Sequence, residues 1–114
     1  MACTRKQYGN SLDANLYMKI KSLAAELSDN NLKNNIKKRI FINDLIEEGM
    51  EYILDNQSLN FEKQSKDNRI DVSIKLDPEI YLEIKVLALR KNVNANDLLE
   101  LGMIYILDKY KKKV

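Results

Sequence analysis

The 114-residue sequence has no histidine and no tryptophan, one cysteine, one proline and three glycines. Without imidazole there is no Ser/His/Asp triad, no Cys/His dyad and no His-ligated zinc or iron. Cys3 has no partner in its own chain, so a disulfide framework and a four-cysteine zinc site are excluded, and a reducing cytoplasm is the expected compartment. A thiol without an imidazole base is a poor nucleophile, which makes Cys3 incidental. There is no glycine-rich phosphate loop either; no catalytic, metal or cofactor site is expected, and the chain does not read as an enzyme. No apolar run approaches the ~20 residues that span a bilayer, and residues 1–10 lack the apolar core of a signal peptide, so no membrane association is expected. A dominant charge is also missing. With 19 basic and 17 acidic residues the net charge is +2, and electrostatics must be judged locally.

What is present is a duplication. Residues 12–25 (LDANLYMKIKSLAA) and 76–89 (LDPEIYLEIKVLAL) agree at 7 of 14 positions, and 43–55 (NDLIEEGMEYILD) and 96–108 (NDLLELGMIYILD) at 10 of 13. The first pair is offset by 64 residues and the second by 53, so the first copy holds 64 − 53 = 11 extra residues. These fall within 28–39 (SDNNLKNNIKKR), where Asn and Lys side chains compete with regular backbone pairing. The expected organisation is one domain of two repeats, 5–56 and 68–111, joined by a polar linker, 57–66.

Each copy has the same internal order, clearest in the second. Ile70, Val72, Ile74 and Leu76 alternate with Asp71, Ser73 and Lys75, the period-2 mark of a half-buried strand. Asp77-Pro78-Glu79 supplies an N-cap, a proline at the first helical position and an acid at the positive end of the dipole. The spacing predicts a helix with a core stripe of Ile80, Ile84, Leu87 and the Lys91 stem. Asn92-Val93-Asn94 interrupts it. A second helix follows, from Ala95 to about Lys109, apolar on most faces and so buried on several sides. Gly102 lies inside that helix at a cost of ~1 kcal/mol relative to Ala, and Gly49 is its counterpart, which predicts that two helices cross closely there.

A single strand and two helices in about 45 residues cannot bury a sufficient core, so each unit needs a second copy. The order strand, capped helix, tight turn, apolar helix, with LDPEIYLEIKVLA followed by NANDLLELGMIYIL, resembles the ribbon-helix-helix superfamily of Arc, MetJ and CopG-type DNA-binding proteins. The resemblance covers nearly the whole chain, twice. It implies a mainly α fold, a tandem ribbon-helix-helix with a two-stranded antiparallel β-ribbon and four main helices, in which the ribbon enters the DNA major groove.

By position, the resemblance assigns base contacts to Asp71, Ser73 and Lys75 and, in the first strand, to Gln7, Gly9 and Ser11. Lys75 suits guanine O6 and N7, Ser73 donates or accepts, and Asp71 either accepts from cytosine N4, its repulsion from phosphates offset by that base or by a neighbour such as Arg69, or is structural. In the first strand Tyr8, Asn10 and Leu12 face inward; Asn10 is polar on the core side and Gly9 admits close backbone approach. Phosphate contacts fall on the start of the second helix of each copy, Asn94 and Ala95, Phe41 and Ile42, with Arg5 and Arg69 beside them. Lys37, Lys38 and Arg39 either join that set or form a solvated basic turn, and the run 109–113 either tracks the backbone or frays.

The favoured architecture pairs strand 6–12 with strand 70–76 within the chain, because ten linker residues reach roughly 35 Å and intrachain pairing gains from high effective concentration. Like-with-like pairing of two chains is the alternative. Leu101 and Ile104 stand where the first copy has Glu48 and Glu51; they either join molecules into a homodimer or higher oligomer on repeated sites, or cover the segment 28–39. Paired acids such as Glu47 and Glu48 read as solvent-facing. The function expected is sequence-specific binding of double-stranded DNA, as a transcriptional repressor or a plasmid or mobile-element accessory factor. The alternative is an antitoxin-like module that binds a partner protein.

Overall fold

The computed structural model describes residues 5–37, 39–58 and 68–111. Its elements run β1 (Lys6–Asp13), α1 (Ala14–Lys33), α2 (Ile42–Asp55), β2 (Arg69–Leu76), α3 (Pro78–Lys91) and α4 (Ala95–Lys111). The fold is mainly α, with four helices and one two-stranded sheet among the described residues.

β1 and β2 pair antiparallel within the chain, with Gln7 opposite Lys75, Gly9 opposite Ser73 and Ser11 opposite Asp71. The alternation set out above decides which face is buried. Asn10, Leu12, Ile74 and Leu76 are buried, Tyr8 and Val72 half-buried, and the other face is polar. Burial deepens toward the end of each strand, where the chain turns into a helix; at the starts, Lys6 and Ile70 are exposed.

Those turns are capped alike. The Asp13 carboxylate accepts from the Leu16 amide at 2.9 Å, and that of Asp77 from the Glu79 amide at 2.8 Å, with Pro78 opening α3. The two copies fill one core in matched pairs: Leu12 and Leu76, Ile20 and Ile84, Leu45 and Leu98, Met50 and Met103, and Ile53 and Ile106 are each at most 2% exposed. On α3 the buried stripe is Tyr81, Ile84, Leu87 and Ala88. Ile80 is only half-buried and Lys91 exposed, while the Tyr81 ring stacks on Tyr8 from the ribbon, with centroids 3.9 Å apart, and its hydroxyl donates to Asn10 Oδ1 at 3.3 Å. That bond satisfies the polar Asn10 inside the core.

α2 and α4 cross at the two glycines. A Cβ on Gly49 would lie 2.6 Å from the Gly102 carbonyl oxygen, and one on Gly102 2.8 Å from the Gly49 carbonyl. Beside this crossing the matched Tyr52 and Tyr105 stack at 3.4 Å. The contact is backbone on backbone, which is what makes glycine necessary there despite its low helix propensity.

The extra segment behaves differently from the expectation for an Asn- and Lys-rich stretch. α1 has 20 residues against 14 in α3, so it continues through Asn30 and Asn31 to Lys33. An Asp29–Lys33 ion pair at 3.1 Å supports the added turn, which ends in a left-handed residue, Asn35, and a bond from the Ile36 amide to the Asn31 carbonyl. Ser28 then clasps the returning chain: its Oγ donates to the Ile40 carbonyl and accepts from the Ile40 amide. The second copy turns at once, through left-handed Asn92.

Candidate nucleic-acid interface

The polar face of the ribbon holds Gln7, Gly9, Asp71, Ser73 and Lys75, all exposed, and Ser11, half-buried. Pairing brings the six expected base-contacting residues onto one face of two strands. Gln7 donates from its side-chain amide to Ser73 Oγ across the ribbon. Asp71 and Lys75 have no ion-pair or hydrogen-bond partner among the described residues. Space above Gly9 is open: a Cβ there would meet nothing within 4 Å. The face thus offers a row of donors and acceptors about as wide as a two-stranded ribbon, the width a major groove admits.

Two clasps, one at each end, hold the ribbon on the helices. Arg5 reaches α2, donating from Nε and NH2 to the two Glu47 carboxylate oxygens (3.1 and 2.7 Å) and from NH2 to Asp44 (2.7 Å). Glu47 also accepts from the amide of Asp77, where β2 becomes α3, at 2.6 Å. The second copy repeats the arrangement. Arg69 pairs with Glu100 (3.0 Å) and Asp97 (3.8 Å), and Glu100 accepts from the amide of Asp13, where β1 becomes α1, at 2.9 Å. Each glutamate therefore ties the start of its own copy's strand to the end of the other's. The geometry is bidentate or networked, the form in which such pairs specify an arrangement most strongly.

The clasps bear on three expectations. Arg5 and Arg69, assigned to phosphates by the resemblance, are each engaged with carboxylates: Arg69 is 10% exposed and also donates to the Ser11 carbonyl, while Arg5, with 32% of its side chain exposed, is shared between two carboxylates. Arg69 is not a counter-charge for Asp71, since its partners are Asp97 and Glu100. Glu47 does not face solvent; it is 13% exposed and fully engaged. Glu48 is also committed, to Lys109 at 2.5 Å and to the Tyr110 hydroxyl at 3.0 Å. Burial raises the Glu100 carboxyl pKa, against the Asp13 amide and Arg69, which lower it. The Glu47 and Asp44 hydrogen bonds raise that of Arg5, and the Glu48 hydrogen bond raises that of Lys109.

Helix starts flank the ribbon. The Asp44 carboxylate accepts from the Phe41 amide and that of Asp97 from the Asn94 amide, both at 3.0 Å, so one amide at each helix start already has an anion. Ile42 and Ala95 lie one position further on. At the α4 start, Ser11, Arg69, Asn94, Asn96 and Asp97 line a small cavity of about 90 Å³. Phe41 is half exposed and has the Arg39 guanidinium 5.5 Å from its ring centroid; Lys37 is exposed. Lys38 and residues 112–113 lie outside the described residues, as does the side chain of Lys111.

No family model, curated protein or solved structure matches the chain. Among the described residues no group of His, Cys, Asp or Glu could hold a metal ion, and no helix is long and apolar enough to cross a membrane. The glutamate clasps were the feature sequence reasoning missed. Their signal lay in the duplication itself, which matches Arg5 with Arg69, Asp44 with Asp97 and Glu47 with Glu100.

Proposed function

We propose that the protein is a tandem ribbon-helix-helix protein that binds double-stranded DNA, laying the polar face of the β1–β2 ribbon in the major groove. The observation that carries this reading is a six-residue face, five of its residues exposed and Ser11 half-buried, on an isolated antiparallel ribbon whose other face and both ends are fixed to a helical core. Rigid support is what a base-reading surface requires, since loosely held side chains lose specificity. Lys75 is the residue best suited to guanine, with Ser73 and Gln7 as adaptable neighbours. The face carries one cation and one anion, so affinity for the backbone comes from Lys37 and Arg39 and from the helix starts at Ile42 and Ala95. A repressor or a plasmid or mobile-element accessory factor is the role that fits such binding.

Selection of bound fragments from random duplex DNA at two salt concentrations tests the reading. It predicts an enriched sequence whose preference survives higher salt while overall affinity falls. Recovery of unselected sequence at both concentrations contradicts it.

A further inference from the structure

α3 has a face that nothing in the described chain covers. Leu82, Val86 and Leu89 are 62, 46 and 82% exposed, and spacings of four and three residues place them in one stripe. Their counterparts on α1 are Met18, Ser22 and Ala25, so α3 alone carries three large aliphatic side chains there. Ile104, by comparison, stands exposed beside Leu101, which packs partly on the core. A contiguous apolar stripe of this kind marks an association site.

We propose that the stripe joins two copies of the chain, α3 packing antiparallel on α3 about a twofold axis near Val86. The charges flanking the stripe select this occupant. Leu82, Val86 and Leu89 follow the alternating four- and three-residue spacing of a coiled-coil seam within α3, and Glu83 and Arg90 each follow a seam leucine. In an antiparallel pair these two flanking positions face each other, so Glu83 of each copy meets Arg90 of the other. Neither has an ion-pair partner among the described residues. The same orientation sets the acidic first turn, Glu79, beside the basic last turn, Arg90 and Lys91. A groove of about 420 Å³ beside the stripe, reaching Leu54 and Asp55 of α2, gives the partner's Leu89 a place to enter. With one stripe per chain the contact is isologous and closes as a dimer. Two 14-residue helices, about 21 Å long, make a contact smaller than a standard interface, the size class of weak, reversible association. The proposal is independent of DNA binding.

Sedimentation equilibrium of the full chain without DNA, from about 5 to 500 μM, tests it. A monomer–dimer equilibrium is expected, weakened at least about 30-fold by Leu89→Glu. Glu83→Arg and Arg90→Glu should each weaken it, and together restore it to within about threefold of wild type. Far-UV circular dichroism checks that these exposed substitutions leave the helices intact. A monomer throughout the range, a dimer indifferent to Leu89→Glu, or a charge swap that fails to restore association overturns the proposal.

Discussion

Replacing Gly49 by alanine sets two effects of opposite sign against each other. Helix propensity alone favours the substitution by ~1 kcal/mol. The structure opposes it, because the new Cβ would stand 2.6 Å from the Gly102 oxygen and 2.7 Å from its carbonyl carbon, backbone atoms with no rotamer to change. Ordinary contact begins at 3.4 Å, so restoring it along that line takes a separation of α2 and α4 of 3.4 − 2.6 = 0.8 Å. A gap of that size forfeits roughly a quarter to a half of each dispersion contact. The contacts at risk belong to Met50, Ile53, Met103 and Ile106, all fully buried on the same two helices. Overpacking of this kind costs ~3 kcal/mol at the upper end, which leaves a net loss of about 2 kcal/mol after propensity and a fall in Tm of roughly 8 °C. Gly102→Ala should behave alike, and the double variant should lose less than the sum, since both side chains would force the same separation. Urea denaturation followed by circular dichroism measures all three. An alanine variant as stable as wild type, or more stable, refutes the close crossing.

The clasps give further expectations. Arg69→Ala leaves Glu100 and Asp97, each 2% exposed, without their cation, and should cost ~3 kcal/mol or more in urea titrations. Arg5→Ala, at a site with 32% of its side chain exposed, should cost ~1 kcal/mol. Because burial raises the Glu100 carboxyl above its ordinary 4.5, the folded state holds that proton more tightly than the unfolded chain. Glu100 therefore lowers stability as pH rises from 4.5 through its folded value, with no further change above it. Glu100→Gln removes this limb, so the wild-type minus variant difference in urea midpoint should fall across that window; a difference independent of pH contradicts the assignment. In DNA binding, Lys75→Ala should cost ~1–3 kcal/mol and relax preference at one base pair, whereas Arg39→Ala should weaken all sequences alike and reduce the salt slope by about one, both read by fluorescence anisotropy.

The strands, their inward and outward faces and the glycine crossing were legible because each rests on a local rule repeated in two copies: alternation at 70–76, a helix-breaking residue kept at 49 and 102. The parts that were not legible depend on pairing over long distances. Nothing near Arg69 in sequence announces that α4 will deliver Glu100 to it, and a basic residue beside a polar strand looks like a phosphate contact until its carboxylate partners are in place. The length of α1 was obscured for a related reason. Asn30 and Asn31 have poor helix propensity, but Ser28 ties the helix to the returning chain at Ile40, and the exposed Asp29–Lys33 pair adds local support. Tyr81 fits the period of the buried stripe with Ile84, Leu87 and Ala88; what the sequence did not show is that its ring would find Tyr8 of the ribbon as a stacking partner.

In the proposed complex the face bearing Gln7, Ser73 and Lys75 lies along base edges in the major groove. Methylation interference on a selected duplex tests it most directly, since guanine N7 lies in the major groove and adenine N3 in the minor groove. N7 methylation within the site should block binding, N3 methylation should not, and Lys75→Ala should abolish the interference at one guanine. Interference confined to adenine N3, or a pattern unchanged by Lys75→Ala, would contradict it.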